Sequence, residues 1–256
     1  MRIVFVLAAL LLSYCAQAAK LMVVIDDMGN NYSLGKRLVD IPQPLNLAFL
    51  PHTPAAAELA EQAFQRGHTV MLHAPMQNVR HANLGKGGLY PEMSKTELQA
   101  TLQDDLNSIP HVQGINNHMG SLLTAQADAM QWVMEVLKAR GLFFLDSRTT
   151  ALTVAQKEAE AAGLFNTRRH VFLDNNKATQ ALQTQLNTAV KYAKKQGYAI
   201  LIGHPYPETV QFLEQALGNM AQQDIELIGL NDFFSAQVWQ HFPKSKVPHS
   251  RYELAQ

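Results

Sequence analysis

Short apolar runs alternate along the chain with longer segments in which apolar positions recur every three or four residues. Apolar runs bounded by polar residues or glycine are typical of buried strands, and the longer segments are typical of amphipathic helices. The predicted strands lie at residues 21–27, 45–50, 70–72, 114–116, 142–145, 171–173, 199–202 and 225–230. The predicted helices lie at residues 33–40, 55–66, 94–107, 125–140 and 179–196. This alternation indicates an α/β protein with a parallel sheet and crossover helices.

The first predicted strand ends in two adjacent acids, Asp26 and Asp27, followed by a glycine. Functional sites of α/β proteins lie at the carboxyl ends of the strands, so two acids there are placed for chemistry. Neighbouring side chains of extended chain point to opposite sides, so we expect one carboxylate to bind a metal and the other to move protons. The alternative is that one of the two acids caps the following helix.

The 256-residue chain is predicted to contain one domain, at residues 19–240. An α/β barrel of about 250 residues commonly has a single core, and no composition shift divides the chain. Residues 241–256 are predicted to be a C-terminal tail.

Residues 1–18 have the pattern of a signal peptide: Arg2 precedes an apolar segment, and an Ala-x-Ala cleavage site ends at Ala18. We therefore expect an exported protein, periplasmic if the source is a Gram-negative bacterium. Lipid attachment at Cys15 is the alternative, and the bulky Tyr14 before it disfavours that modification. No later stretch approaches the ~20 apolar residues of a spanning helix, so no membrane span is expected after cleavage.

The charges are balanced, with 21 basic and 21 acidic residues, and neither sign forms blocks. Nucleic acid and anionic membrane are therefore not expected partners. The single cysteine lies in the predicted signal peptide, which leaves the mature chain without a disulfide or a thiolate.

Chemically active side chains follow several predicted strands at the point where each strand ends. They are Asp26, Asp27, His73, His118, Asp146 and His204. In a barrel these strand ends converge on one mouth. Carboxylate and imidazole ligands suit Zn²⁺ or a similar divalent ion, with three protein ligands and one open position in a catalytic site. We assign Asp27, His73 and His118 to one such ion.

The other three residues at the mouth are predicted to serve catalysis. Asp26 is the candidate general base that takes a proton from the attacking water. His204, on the opposite side of the mouth, is the candidate acid for the leaving group, and Asp146 is available to position a side chain or substrate.

Three stretches carry a resemblance to a known family. Residues 25–29 (IDDMG) are similar to the first deacetylase motif, in which the first Asp is the general base and the second is a metal ligand. Residues 67–73 (GHTVMLH) lead to the first metal histidine, and residues 201–204 (LIGH) are similar to the last motif, whose histidine is the general acid. The chain thus resembles the divergent polysaccharide deacetylases, a branch of the metal-dependent carbohydrate deacetylases, over residues 20–235. The resemblance implies a distorted (β/α) barrel of about seven parallel strands.

The chain departs from that pattern at two places. Ordinary members have a second metal histidine four residues after the first, where this chain has Gln77. Their arginine-proline motif is replaced by residues 116–121 (NNHMGS), the form of the divergent branch. The resemblance implies that His118 restores the third metal ligand from another strand, while the arginine that would steady the base is missing.

These features favour an exported metal-dependent hydrolase that removes N- or O-acetyl groups from a cell-envelope or other extracellular polysaccharide. One alternative is a non-catalytic envelope protein that keeps the metal site for stability or for binding glycan or a partner. Another is an exported amidohydrolase that acts on a non-sugar amide with the same water activation.

A basic group with no assigned role precedes one of the later strands: Arg168, Arg169 and His170, with Arg148 elsewhere in the sequence. It is interpreted as an exposed, solvated group or as a partner of Asp174, and the alternative is that it meets an anionic group of a substrate.

Aromatic residues beside a sugar site often stack on the rings, and Tyr90 and Tyr206 are the candidates. The glycine-rich residues 85–88 are predicted to be a loop, because they lack the Gly-Lys-Ser/Thr ending of a phosphate cradle. The remaining histidines are predicted to be solvated or locally bonded: His52, His68, His81, His111, His241 and His249.

Overall fold

The protein is described by a computed structural model that covers residues 18–241. The predicted signal peptide and C-terminal tail therefore lie outside the described residues, apart from Ala18 and His241, at which they adjoin them. The described residues contain nine strands: β1 (Ala19–Met28), β2 (Asn46–Phe49), β3 (Thr69–Met76), β4 (Gly114–Met119), β5 (Phe143–Asp146), β6 (Asn166–Arg168), β7 (Val171–Phe172), β8 (Tyr198–Gly203) and β9 (Ile225–Leu227). The same part of the chain contains eight α-helices: α1 (Tyr32–Val39), α2 (Ala56–Gln65), α3 (Lys95–Ser108), α4 (Ala127–Arg140), α5 (Ala155–Ala162), α6 (Thr179–Gln196), α7 (Pro207–Ala216) and α8 (Leu230–His241).

All nine strands belong to one sheet, in the order β6-β5-β4-β3-β2-β1-β8-β7, with β9 beside the first part of β1. Every pair of neighbours is parallel. The edge strands β6 and β7 do not pair with each other within residues 18–241. The sheet is therefore a curled, incompletely closed barrel, which confirms the predicted α/β barrel class.

The sequence pattern missed one strand and three helices. Strand β6 is three residues long and polar, so it has no apolar run to reveal it. The last predicted strand is shorter than expected, because α8 begins at Leu230. The helix ends agree with the local signals: Gly67, after α2, has φ +83°, and Ser94 and Glu97 form a capping box at α3.

Alternation along the strands separates the apolar side chains into two clusters. On β1, Leu21, Val23 and Ile25 belong to the larger cluster, which lies between the sheet and the helices. Met22 and Val24 belong to a smaller cluster that fills the barrel interior. Successive strand residues point to opposite faces, so both faces of the sheet are buried, as parallel sheets require.

Helix α8 closes the amino-terminal end of the barrel. Phe233 contacts Tyr198 at the start of β8, with ring centroids 4.9 Å apart, and Phe234 contacts Phe143 at the start of β5, at 5.2 Å. The carboxyl ends of the strands are left as the mouth. Among the described residues, no helix is both long enough and apolar enough to cross a bilayer.

Candidate metal and catalytic site

The interior face of the barrel changes from apolar to polar at the mouth. On β1, the interior residue Val24 is followed on the same face by Asp26, and on β3 Met71 is followed by His73. His204 comes directly after β8 and continues its interior face in the same way. The smaller apolar cluster of the barrel interior therefore lies directly beneath a set of acids and histidines. It shields one side of these polar groups from water.

Asp27 does not point away from Asp26, as strand alternation predicts. It has φ +55°, in the left-handed region, and the pairing of β1 with β2 shifts register between Ile25 and Met28. This bulge turns the second carboxylate into the mouth. His73 Nε2 consequently lies 3.2 Å from an Asp27 oxygen and 3.7 Å from an Asp26 oxygen. The expectation of opposite sides is therefore wrong, and both acids serve one site.

Neither acid caps the helix that follows. Asn31 is the N-cap of α1, and its side-chain oxygen accepts a hydrogen bond from the Leu34 amide at 3.0 Å. The capping alternative for the acid doublet is thereby excluded.

The three predicted metal ligands converge. Asp27 Oδ1 lies 2.9 Å from His118 Nδ1 and 3.2 Å from His73 Nε2, and the two ring nitrogens are 3.1 Å apart. This is the one group of three His, Cys, Asp or Glu side chains in the described residues whose ligand atoms cluster in this way. One carboxylate oxygen and two imidazole nitrogens form a donor set that suits Zn²⁺.

The state of Asp27 fits a cation-binding role. Its Oδ1 is buried and accepts no well-directed hydrogen bond among the described residues, although two ring nitrogens are close. Burial raises the pKa of Asp27, but His118 and His73 outweigh burial and hold that pKa well below its usual range. An ionised, buried oxygen without a proper donor is a group that a bound cation would satisfy.

Asn116 connects the metal cluster to the candidate base. Its Oδ1 accepts a hydrogen bond from His73 Nδ1 at 2.7 Å, which leaves Nε2 of that ring facing the cluster. Its Nδ2 donates to Asp26 Oδ1 at 2.7 Å and to Ser147 Oγ at 3.2 Å. Sequence reasoning missed this residue, because a neutral amide among charged candidates gives no signal of its own. Its position two residues before His118, on the same strand face, was the available clue.

Asp26 is almost fully buried beside this amide. Burial raises its pKa, while the charges of His73 and His204 and the Asn116 hydrogen bond act in the opposite direction. A carboxylate whose pKa lies above its ordinary value is a better proton acceptor, which fits the role of general base.

His204 is held by Asp174. Its Nδ1 lies 2.9 Å from Asp174 Oδ1, and its backbone amide donates to Oδ2 at 2.6 Å; Thr209 Oγ1 donates to the same oxygen at 3.0 Å. Burial lowers the pKa of His204, but Asp174 and the acids at the mouth raise it to about 9. The ring is therefore protonated at neutral pH. Asp174 was expected as a partner of the arginines, and this interpretation is wrong because His204 and Thr209 occupy its oxygens.

Asp146 is fully buried at the end of β5, but among the described residues its side chain makes no hydrogen bond or ion pair with Asp27, His73 or His118. Its Oδ1 accepts from the Arg148 amide at 2.8 Å, and its Oδ2 accepts from Thr153 Oγ1 at 3.0 Å. It therefore fixes the turn that follows β5, and that turn presents Ser147 to Asn116. These contacts are with the turn itself, so the predicted catalytic role of Asp146 stays a prediction.

Gln77 takes no part in the metal cluster. Its side-chain oxygen accepts from the Asn78 amide at 3.0 Å, and its backbone oxygen accepts from the amides of Leu122 and Leu123. The third ligand atom of the cluster comes from His118 and not from Gln77.

Tyr206 is half-exposed beside the mouth, with its ring 5.6 Å from that of His204, whereas Tyr90 lines a separate cavity with Glu92 and Met93. Among the other histidines, His68 is buried, and its two ring nitrogens bond to the backbone of Leu45 and Val39.

The curled parallel barrel with a carboxylate–imidazole cluster at its carboxyl end defines the protein as a barrel of the carbohydrate-deacetylase type. The chain belongs to the divergent polysaccharide deacetylases, because the model of that family matches residues 23–234. It is 39% identical to the uncharacterized protein YibQ of Escherichia coli (strain K12) over 228 residues, which are 89% of this chain and 71% of that protein. It is 35% identical to an uncharacterized protein of Haemophilus influenzae over 226 residues, 88% of this chain and 80% of that protein.

Solved structures share the fold at low sequence identity. An uncharacterized protein of Agrobacterium tumefaciens C58 superposes with a TM-score of 0.82 at 20% identity, covering 86% of this chain and 90% of that one. The catalytic domain of a peptidoglycan N-acetylglucosamine deacetylase from Eubacterium rectale has a TM-score of 0.52 at 13% identity, covering 83% and 89%. At these sequence identities, the comparisons show a shared fold and nothing more.

Proposed function

We propose that the protein is an exported, metal-dependent hydrolase that removes N- or O-acetyl groups from a cell-envelope or other extracellular polysaccharide. The observation that carries this proposal is the arrangement of the mouth. A three-ligand cluster lies beside a buried carboxylate, Asp26, and a histidine paired with Asp174 follows the neighbouring strand β8. Membership of the polysaccharide deacetylase family supports the substrate class.

Asp27, His73 and His118 would hold one divalent cation. The donor set of one carboxylate and two imidazoles favours Zn²⁺. When bound, the cation would polarise the substrate carbonyl and lower the pKa of a water molecule to about 7.

The protein side chains supply the proton transfers. Asp26 accepts a proton from the attacking water, and Asn116 holds its carboxylate through a hydrogen bond to Oδ1. His204 uses Nδ1–H to bond Asp174, so Nε2–H is left to protonate the departing nitrogen or oxygen of the sugar. Tyr206 beside the mouth offers a face on which a sugar ring can stack.

Export rests on the leader pattern of residues 1–18, and periplasmic location would follow in a Gram-negative bacterium. The exported form is expected to begin at Ala19. N-terminal sequencing and intact mass measure this, and a mass that matches a diacylglyceryl group on Cys15 would contradict it.

A second candidate is a non-catalytic envelope protein that keeps the site for stability or for binding glycan or a partner. The replacement of the family's arginine motif by residues 116–121 favours it. A solved structure with a TM-score of 0.52 to this chain at 14% identity is described as a mutant of a CE4 family pseudoenzyme with restored activity. The fold therefore occurs with and without catalysis.

The test is acetate release from a panel of acetylated glycans and small amides, with metal content measured on the same samples. Asp26→Asn and His204→Ala are expected to keep the metal and to lose activity about 10²–10⁴-fold, because each removes one proton-transfer group. His111→Ala is the matched control: this exposed histidine pairs with Glu61, away from the mouth, and its variant should be fully active.

Two results would change the conclusion. Variants of Asp26 and His204 that keep more than about a tenth of wild-type activity would refute the assigned roles. A wild type that binds glycan but releases acetate from no substrate would favour the non-catalytic candidate.

A further inference from the structure

Three arginines and a histidine surround one cavity at the open seam of the barrel. The seam lies between the edge strands β6 and β7, which are joined by Arg169 and His170 alone. A cavity of about 380 Å³ opens there, and its lining contains no carboxylate. The lining residues that carry donors are Arg148, Arg168, Arg169, His170, Thr150 and Tyr192.

Arg169 is fixed in place by backbone carbonyls and an aromatic ring, and it has no ion-pair partner in residues 18–241. Its Nε donates to the Ser147 carbonyl at 2.7 Å, a terminal nitrogen donates to the Arg148 carbonyl at 3.0 Å, and the guanidinium lies 3.6 Å from the ring centroid of Phe172. A guanidinium has five N–H groups, so three remain for another acceptor. Burial lowers the pKa of Arg169, although Asp146 opposes the effect. A partly buried cation is costly unless an anion neutralises it.

Arg148 is held in a strained conformation on the other side of the cavity. Its φ is +53°, in the left-handed region, which is unfavourable for a residue with a Cβ. Asp146 Oδ1 holds its amide and Arg169 holds its carbonyl. Arg148, Arg168 and Arg169 have no carboxylate within 4 Å in the described part of the chain, whereas Arg37 and Arg66 each pair with one.

His170 adds a neutral donor. Its Nδ1 accepts from the Ile200 amide at 2.9 Å, so the ring proton resides on Nε2. Burial, together with Arg168 and Arg169, lowers the pKa of His170 to about 4, and the ring stays neutral at physiological pH. The cavity thus combines the positive charges of three arginines with neutral N–H and O–H donors. An oxyanion can accept hydrogen bonds from both kinds of group.

Hydrogen bonds link the residues of this cavity to those of the mouth, and the cavity shares lining residues with a second, polar cavity. Ser147, whose carbonyl holds Arg169, accepts a hydrogen bond from Asn116, the amide that also bonds Asp26. The second cavity, of about 420 Å³, shares Arg168 and His170 and is lined by amide and hydroxyl side chains: Gln156, Asn166, Gln196 and Tyr198. Its lining also includes Glu160. Amide and hydroxyl groups are suitable partners for neutral sugar hydroxyls.

We propose that the cavity formed by Arg148, Arg168, Arg169 and His170 binds a carboxylate or phosphate group. We further assign this group to the polysaccharide whose acetyl group enters the mouth, an assignment that rests on the proposed function. The substrate is then an acidic glycan, and the basic group of the sequence is a substrate-binding element.

The first experiment measures binding of inorganic phosphate and of glucuronate to the zinc-loaded protein through the arginine Nε–H signals in ¹H–¹⁵N spectra. Saturable shifts of the Arg169 signal are expected. Arg148→Gln with Arg168→Gln should weaken binding at least about tenfold, because each removes charge-assisted hydrogen bonds. Arg140→Gln is the matched control, since Arg140, at the end of α4, donates to Asn107 and does not line the cavity, and this variant should bind as the wild type does.

The outcomes separate the possible sources of binding. Stronger binding of phosphate supports a phosphorylated glycan, and stronger binding of glucuronate supports a carboxylated one. Binding that survives the double substitution at full strength does not depend on these arginines and overturns the proposal, as does the absence of saturable binding. Should the double variant unfold, the exposed Arg168→Gln variant alone must still weaken binding by severalfold.

The second experiment compares acetate release from an acetylated acidic oligosaccharide and from its carboxyl-reduced form. KM for the acidic substrate should rise at least about tenfold in Arg148→Gln, with kcat unchanged, and KM for the neutral form should not change. Equal effects on both substrates would overturn the assignment to the glycan. Absence of acetate release from every substrate, with arginine-dependent phosphate binding intact, would refute the hydrolase and leave the anion site standing.

Discussion

Replacement of Asn116 by alanine should weaken metal binding as well as stability. The amide makes three hydrogen bonds from a fully buried position, and one of them reaches the ionisable carboxylate of Asp26. A bond to a charged group contributes about 1.5–3 kcal/mol and a neutral one about 0.5–1.5 kcal/mol, so the substitution should cost about 2.5–6 kcal/mol of folding free energy. Loss of a partner that orients a ligand histidine should lower Zn²⁺ affinity about 10–100-fold.

The neighbouring Asn117 provides a matched control. It is buried on the same strand, its Nδ2 donates to the Met119 carbonyl at 2.7 Å, and its Oδ1 accepts from the Ser147 amide at 2.9 Å. Both partners are backbone groups, so Asn117→Ala should cost about 1–3 kcal/mol of stability and leave the orientation of His73 unchanged.

The assay combines urea unfolding with competition between the protein and a chelator of known zinc affinity. Zinc affinities of the Asn116→Ala and Asn117→Ala variants that agree within about twofold would refute the reasoning, because removal of a side chain that orients a ligand histidine should lower affinity about 10–100-fold. A loss of stability alone would then assign Asn116 a purely structural role.

Four further substitutions make up three separate tests of the site and its surroundings. His118→Ala should lose the metal while Gln77→Ala retains it, as measured by elemental analysis; retention in the first with loss in the second would show that the third ligand is misassigned. Asp174→Asn should lower the pKa of His204 from about 9, so the alkaline limb of the pH–rate profile should move to lower pH by at least about one unit; an unmoved limb would contradict the pairing. Gly29→Ala should cost about 2–5 kcal/mol, because its φ is +112° and a Cβ would lie 2.1 Å from a side-chain oxygen; a loss below about 1 kcal/mol by denaturant titration would contradict the close packing.

The strand pattern predicted the barrel and most of the mouth because both follow from simple periodicity. Val24 and Asp26 lie two positions apart on one strand, as do Met71 and His73, so an apolar interior that ends in polar residues can be read from spacing alone. The left-handed φ of Asp27 cannot be read in this way. It depends on a bulge in the pairing of β1 with β2, and a register shift is a property of two strands together.

Two positioning residues escaped prediction for different physical reasons. Asn116 carries no charge, and its importance comes from bridging His73 and Asp26, which are distant in sequence. Asp174 was noted at a strand end but was given the wrong partner. Its strand β7 is two residues long, and the arginines are nearer in sequence than His204, yet the fold places the histidine against it.

The central claim is that Asp27, His73 and His118 form a metal site at the mouth of the barrel. Anomalous diffraction at the zinc edge, on crystals of the purified protein, tests it most directly. We expect one peak at about 2.0–2.2 Å from Asp27 Oδ1, His73 Nε2 and His118 Nδ1. A zinc-loaded crystal with no peak at these three atoms, or with its peak on other side chains, would show that the three residues do not form the metal site.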